Sequence, residues 1–266
     1  MEIIHSGLPI FYNEATKDLE FRNGLTCEGS SKKLAGQMVG LLKDSSSLEE
    51  NEYMYSAYRN IVFQEHEQKF KKYDYRYDIT AIQPGTINGE CKKTSGHYHG
   101  YIANDVYTYA EIYEVIKGEI VFILQKVMNF NQAEEPIIED IKVVHVKAGQ
   151  AIIVPPFYGH GSINPTDEVS MFSNIAVVSC PLLYQPIQAK HGLSVYIMKD
   201  KETFKVVPNQ DYKISREAKL VEPQENKELG IEFGVPCYHS FIKNPEKFDF
   251  LLHPAQYVEA IQNMYR

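Results

Sequence analysis

From Tyr73 to about Val207 the chain is a succession of short apolar runs cut by glycine, proline and asparagine. The runs "YDITAI", "EIYEVI", "EIVFILQ", "IKVVHV", "AIIVP", "MFSNIAVV" and "LSVYIM" are rich in Ile, Val, Tyr and Phe. Such side chains fit a pleated surface, and runs this short with no helical period between them predict strands. "QPGT", "KGE" and "KAGQ" supply the turns, where Gly tolerates positive φ and Pro presets its own. Many short strands at close spacing predict an all-β sandwich or barrel.

The flanks read differently. "SKKLAGQMVGLLKD" carries Leu34, Met38 and Leu41 at helical spacing and predicts a modest helix. "NFNQAEEPIIED" is polar and predicts an exposed loop between two hairpin strands. After Val207, "NQDYKISREAKLVEPQENKELG" is charged and has few β signals. A closing helix from about Pro254 to Tyr265 would bury Tyr257, Val258, Ile261 and Met264. The expected division is a barrel domain with its N-terminal arm over 1–207 and an extension over 208–266 packed on the barrel.

Composition narrows the partners. A formal net charge of −8 argues against nucleic acid and anionic membranes. The longest apolar runs fall far below the ~20 residues of a membrane span. "MEIIHSGLP" has neither a basic n-region nor a long apolar h-region, so no secretory signal is expected. Cys27, Cys91, Cys180 and Cys237 are scattered without a C-x-x-C pair and read as free thiols. The cytoplasm is the expected compartment.

The chemistry concentrates in "TSGHYHGYI". Along a strand alternate side chains share a face, so His97 and His99 aim two imidazoles at one spot. In "AEIYEVIKGE", Glu111 and Tyr113 share one face, and Ile112, Glu114 and Ile116 the other. Six residues separate Glu111 from Gly118, five separate Gly149 from Pro155, and three separate His160 from Asn164.

With these spacings the sequence resembles the two motifs of the cupins, small double-stranded β-helix (jelly-roll) barrels that gather three His and one Glu around one divalent metal. The resemblance implies His97, His99, Glu111 and His160 as ligands. The gap from His99 to Glu111 is longer than usual for cupins, which keeps Glu114 open as an alternative carboxylate. Phe157 stands where the second motif usually has Gly. "YDITAIQPGTINGECKKTSGHYHG", "YAEIYEVIKGE" and "IIVPPFYGHGSIN" resemble the cupin-type phosphoglucose isomerases over about residues 8 to 205. That resemblance implies sugar-phosphate contacts at Thr80, Thr94, Gly96, Tyr113, Tyr184 and Tyr58. It further implies one divalent ion per chain (Fe, Ni, Mn or Zn), a sugar-phosphate substrate and a homodimer. The family's His near the end of the matching region is Leu182 here, and a pocket aromatic is shifted by Phe157-Tyr158.

The residue types suit aldose–ketose isomerisation. Hydrogen moves between C1 and C2 while the neighbouring oxygen gathers negative charge. A divalent cation stabilises that charge as a Lewis acid, and Glu111 beside it is the expected base. The expected reaction interconverts glucose 6-phosphate and fructose 6-phosphate, as in glycolysis and gluconeogenesis. Two other classes use similar ligands, a non-haem iron dioxygenase and a sugar-phosphate-binding cupin without catalysis. Thr80 and Thr94 favour the isomerase over the dioxygenase, and the carboxylate favours it over the binding protein.

Overall fold

The computed structural model describes residues 1–127 and 137–266. Most of the polar loop expected after Met128 lies outside the described residues. The chain is mainly strand, in two larger sheets and several two- to four-stranded ones. The first sheet opens with β1 (Leu25–Leu34), β2 (Tyr53–Phe63), β3 (Tyr75–Ile82) and β4 (Glu111–Lys117). The second sheet opens with β5 (Glu119–Lys126) and β6 (Asp140–Lys147), and β7 (Ala151–Val154) returns to the first. Next come β8 (Tyr158–Ile163), β9 (Ser170–Val177) and β10 (Lys219–Val221). The first sheet runs β7-β4-β9-β3-β2-β1 and the second β8-β5-β6-β10. Rings from both meet in one apolar core: Phe122 of β5 packs 5.4 Å from Tyr113 and 5.8 Å from Phe172. This is the jelly-roll sandwich that the sequence predicts.

Every residue of β4 from Glu111 to Ile116 is buried. A strand of an open sandwich would wet one face, and here the C-terminal segment covers it. That segment holds two short α-helices, α1 (Cys237–Lys243) and α2 (Val258–Gln262), joined by 3₁₀ turns. Tyr238, Phe241, Phe248 and Phe250 are wholly buried in the same core cluster as Ile112 and Ile116. Phe241 lies 4.6 Å from Phe70 and 5.6 Å from Tyr75, whose hydroxyl donates to the Phe248 carbonyl at 2.8 Å. At about 1.5–3 kcal/mol per fully buried large side chain, these aromatics are a major part of the core.

Three expectations give way. The helix expected over 31–44 is strand up to Leu34 and then a 3₁₀ helix, Ala35–Leu41. Its buried residues are Ala35, Met38 and Leu41, three apart, the 3₁₀ period rather than the α period. The charged stretch after Val207 includes a strand, since β10 pairs parallel with β6, Val143 opposite Leu220. The closing helix is shorter than expected: a 3₁₀ turn Pro254–Gln256 precedes α2, with Ile261 and Met264 buried. Among the described residues no helix is long and apolar enough to cross a membrane.

Candidate metal centre

Two long strands, one two-residue strand and the segment just before it bring four side chains to a single cavity. Glu111 opens β4, opposite Val154 of β7, and His160 lies in β8 opposite Leu124 of β5. The segment carrying His97 is bridged to β8 by reciprocal backbone bonds between His97 and His160, each 3.0 Å. His99 sits in a two-residue strand opposite Leu182. Gly96 makes the approach possible. Its φ is +70°, and a Cβ there would stand 3.0 Å from the His160 carbonyl oxygen.

One ligand atom from each of His97, His99, Glu111 and His160 lies within 4.8 Å of the others. His99 Nδ1 lies 3.0 Å from the Tyr109 carbonyl, which only accepts, so Nδ1 carries the proton. In the neutral imidazole Nε2 is then a bare lone pair, 3.0 Å from Glu111 Oε2. Two acceptors facing each other at that distance are what a shared cation relieves. His97 Nε2 is buried without a hydrogen-bond partner, an orphan that a metal ion would satisfy. Asn174 donates to Glu111 Oε1 at 2.7 Å and fixes the carboxylate plane. The Tyr113 hydroxyl donates to Glu111 Oε2 at 2.9 Å and lies 3.0 Å from His160 Nε2.

Protonation states agree with the donor set. Burial, with the neighbouring imidazoles, pulls His97 well below the ordinary range. Burial and His99 pull His160 down to about 3. Burial alone would raise Glu111, but a positive partner at His99 Nε2, whether a proton or a metal ion, together with His160 and the Tyr113 hydroxyl holds it below the usual carboxylate value. Neutral His97 and His160 beside an ionised Glu111 are in the forms that bind metal, so this donor set fits a divalent ion.

Thr80, Thr94, Gly96, Tyr113 and Tyr184 all line the same cavity, as does Leu182. Tyr58 does not. It alternates with Ala57 and Arg59, and its hydroxyl turns away to bond the Leu19 N–H at 3.0 Å and Asp18 at 3.3 Å. Tyr55, three residues earlier, reaches the cavity instead, its hydroxyl 3.1 Å from Ser95 Oγ. Glu114 faces away from the cavity toward α1, where it accepts from Ser173 Oγ at 3.2 Å and the Cys237 N–H at 3.1 Å. Phe157 takes the left-handed conformation, φ +70°, that the usual Gly of the motif would adopt freely. Sequence reasoning passed over Arg59, Arg76, Ser95 and Asn174, which also line the cavity. Arg76 was legible, being four residues before Thr80 on one strand and therefore on its face.

A jelly-roll sandwich that gathers three imidazoles and one carboxylate at the wall of a polar cavity is a cupin with a metal-type site. The family model described as glucose-6-phosphate isomerase (GPI) matches residues 31–214, beginning later than the resemblance suggested. The glucose-6-phosphate isomerase of Thermococcus onnurineus is 30% identical over 147 residues, 55% of this chain and 69% of that protein. That of Pyrococcus furiosus is 28% identical over the same shares. The chain belongs to the glucose-6-phosphate isomerase family and is an isomerase of the cupin type.

Proposed function

We propose that this chain interconverts glucose 6-phosphate and fructose 6-phosphate at the cavity described above, with Glu111 as the base. The observation that carries the reading is the convergence of His97, His99, Glu111 and His160 beside Thr80 and Thr94 in a chain of this family. His97, His99, His160 and Glu111 would hold one divalent ion, and donors of this kind suit Fe, Ni, Mn and Zn. When bound, that ion supplies Lewis-acid stabilisation of negative charge on the substrate oxygens.

The remaining work belongs to the chain. Glu111 takes the proton from C2 of the aldose and returns it to C1, while the proton of the C2 hydroxyl passes to O1, so that the aldehyde becomes an alcohol and C2 becomes the carbonyl. Asn174 holds one of its oxygens, and Tyr113 tethers the other. Burial and the nearby Glu111 charge push the Tyr113 phenol well above its ordinary pKa, so it stays a donor. Leu182 and Phe172 add apolar surface to the cavity wall, which would limit water beside the reacting carbons. Thr80, Thr94, the Gly96 N–H and Tyr184 hold the phosphate end. Thr94 Oγ already accepts from the Ser162 N–H at 3.0 Å, which leaves its own O–H to donate to an anion.

The decisive experiment is conversion of glucose 6-phosphate by metal-stripped protein, with each divalent metal restored in turn. The expected result is activity that disappears on stripping and returns with at least one metal. Restored metal with no turnover would defeat the reading and leave the binding-protein alternative. Thr94→Val should raise KM several-fold with kcat less affected, because it deletes a ground-state contact while keeping β-propensity. Steady-state kinetics with an unchanged KM would move the phosphate elsewhere. The same reading has the chain act in the cytoplasm as a homodimer. Support for the first comes from its four unpaired cysteines, and for the second from the habit of its family.

A further inference from the structure

Asp78 is completely buried in the cavity wall, between two arginines. Arg59 Nη1 lies 2.8 Å and Arg76 Nε 2.9 Å from the same carboxylate oxygen. The Asn60 N–H, at 2.9 Å, satisfies the other oxygen. Strand register puts these groups on one wall. Arg76, Asp78 and Thr80 alternate along β3, paired with Ala176, Asn174 and Phe172 of β9. Ala57 of β2 stands opposite Thr80, and Arg59 follows two residues later on the same face. Both arginines line the cavity that holds the metal-type cluster.

One guanidinium and a backbone N–H would suffice for a buried aspartate, so the second arginine is surplus positive charge. Asp78 accepts one N–H of Arg59, while Arg76 Nε is only ion-paired to the same oxygen without a directed hydrogen bond, and the remaining donors of both have no partner among the described residues. The Arg59 side chain is 44% exposed and borders a neighbouring cleft, beside Tyr55, Ser95 and Tyr184, that also contains Lys32 and Lys33. Within the cavity the two arginines are offset by Asp78 and Glu111. A bound divalent ion therefore leaves a net charge of about +2, matching a phosphate dianion. In a chain of net charge −8 that local excess does not follow from composition.

We propose that Arg59, locked on Asp78 together with Arg76, is the cationic anchor for the substrate's phosphoryl dianion, and that it makes the enzyme prefer phosphorylated over neutral sugars. This rests on the sugar-phosphate reading above. A guanidinium is planar, permanently charged and able to meet two phosphate oxygens at once. Asp78 orients that fork before substrate arrives, which lowers the ordering cost of binding.

The test uses metal-loaded protein and glucitol 6-phosphate, an open-chain polyol phosphate without a carbonyl, with glucitol as the uncharged control. Calorimetry should give a Kd for glucitol 6-phosphate weakened about 10- to 100-fold in Arg59→Met, with metal content unchanged and the weak glucitol affinity unmoved. KM for glucose 6-phosphate should rise in step while kcat changes little. Arg59→Lys, which keeps the charge and loses the fork, should lie between, and serves alone if Arg59→Met does not fold. Wild-type affinity in either variant overturns the anchor, as does equal loss of glucitol and glucitol 6-phosphate binding. A wild type that neither binds glucitol 6-phosphate nor turns over glucose 6-phosphate defeats the underlying reading, and the anchor with it. A wild type that does both beside an unaffected Arg59→Met defeats the anchor alone.

Discussion

Glu111→Gln should lower kcat by about a hundred- to ten-thousand-fold, the usual contribution of a positioned general base, while most of the bound metal stays. Glutamine keeps the shape of the side chain and an oxygen that can accept from Asn174 Nδ2. The three imidazoles remain, and His99 stays oriented by the Tyr109 carbonyl. What is lost is the capacity to take a proton. Turnover measured beside metal content on the same sample separates the roles. If both fall in proportion, Glu111 is a ligand and the base lies elsewhere.

The second large effect concerns the other glutamate of β4. Burial pushes the Glu114 carboxyl up to about 8, against smaller lowering contributions from the Cys237 backbone and Ser173. The Cys237 thiol and the Tyr77 phenol, which flank it, are both raised mainly by burial and stay neutral over the same range. Unfolded, Glu114 titrates near 4.5. Between these values the folded chain holds the extra proton, so stability falls as pH rises, by about 1.4 kcal/mol per unit. The contribution is fully present below the unfolded value and gone above the folded one. Glu114→Gln removes the titration while still accepting the Cys237 N–H. Urea unfolding should therefore show the variant gaining about 3 kcal/mol on the wild type between pH 5 and pH 8. Parallel pH profiles would mean that the C-terminal segment does not keep Glu114 dry.

Much of this was legible because it is local. The spacing of His97 and His99, and the alternation of Glu111 with Glu114, follow from a two-residue period that needs no knowledge of the fold. The same period separates the cavity carboxylate from the one that tethers α1. What sequence could not supply were pairings made at long range. Ser30, Ser31, Lys32 and Lys33 have little β character, yet they are strand because Tyr55 to Tyr58 lie beside them. Lys219 to Val221 likewise gain their conformation from β6. Tyr58 was misplaced by one step of alternation, since a shift of a single residue exchanges the two faces. Arg59, one residue on, occupies the cavity.

The position of Asp78 also orders the history of the wall. An arginine at a half-open mouth tolerates solvent and needs no partner, so either cation can arise first without harm to the fold. A wholly enclosed aspartate with no cation beside it would carry a stranded charge, a defect of about 3–5 kcal/mol and a large share of a domain's net stability. The acid must therefore have come after at least one of its bases. A lineage losing this device would have to shed it in the reverse order.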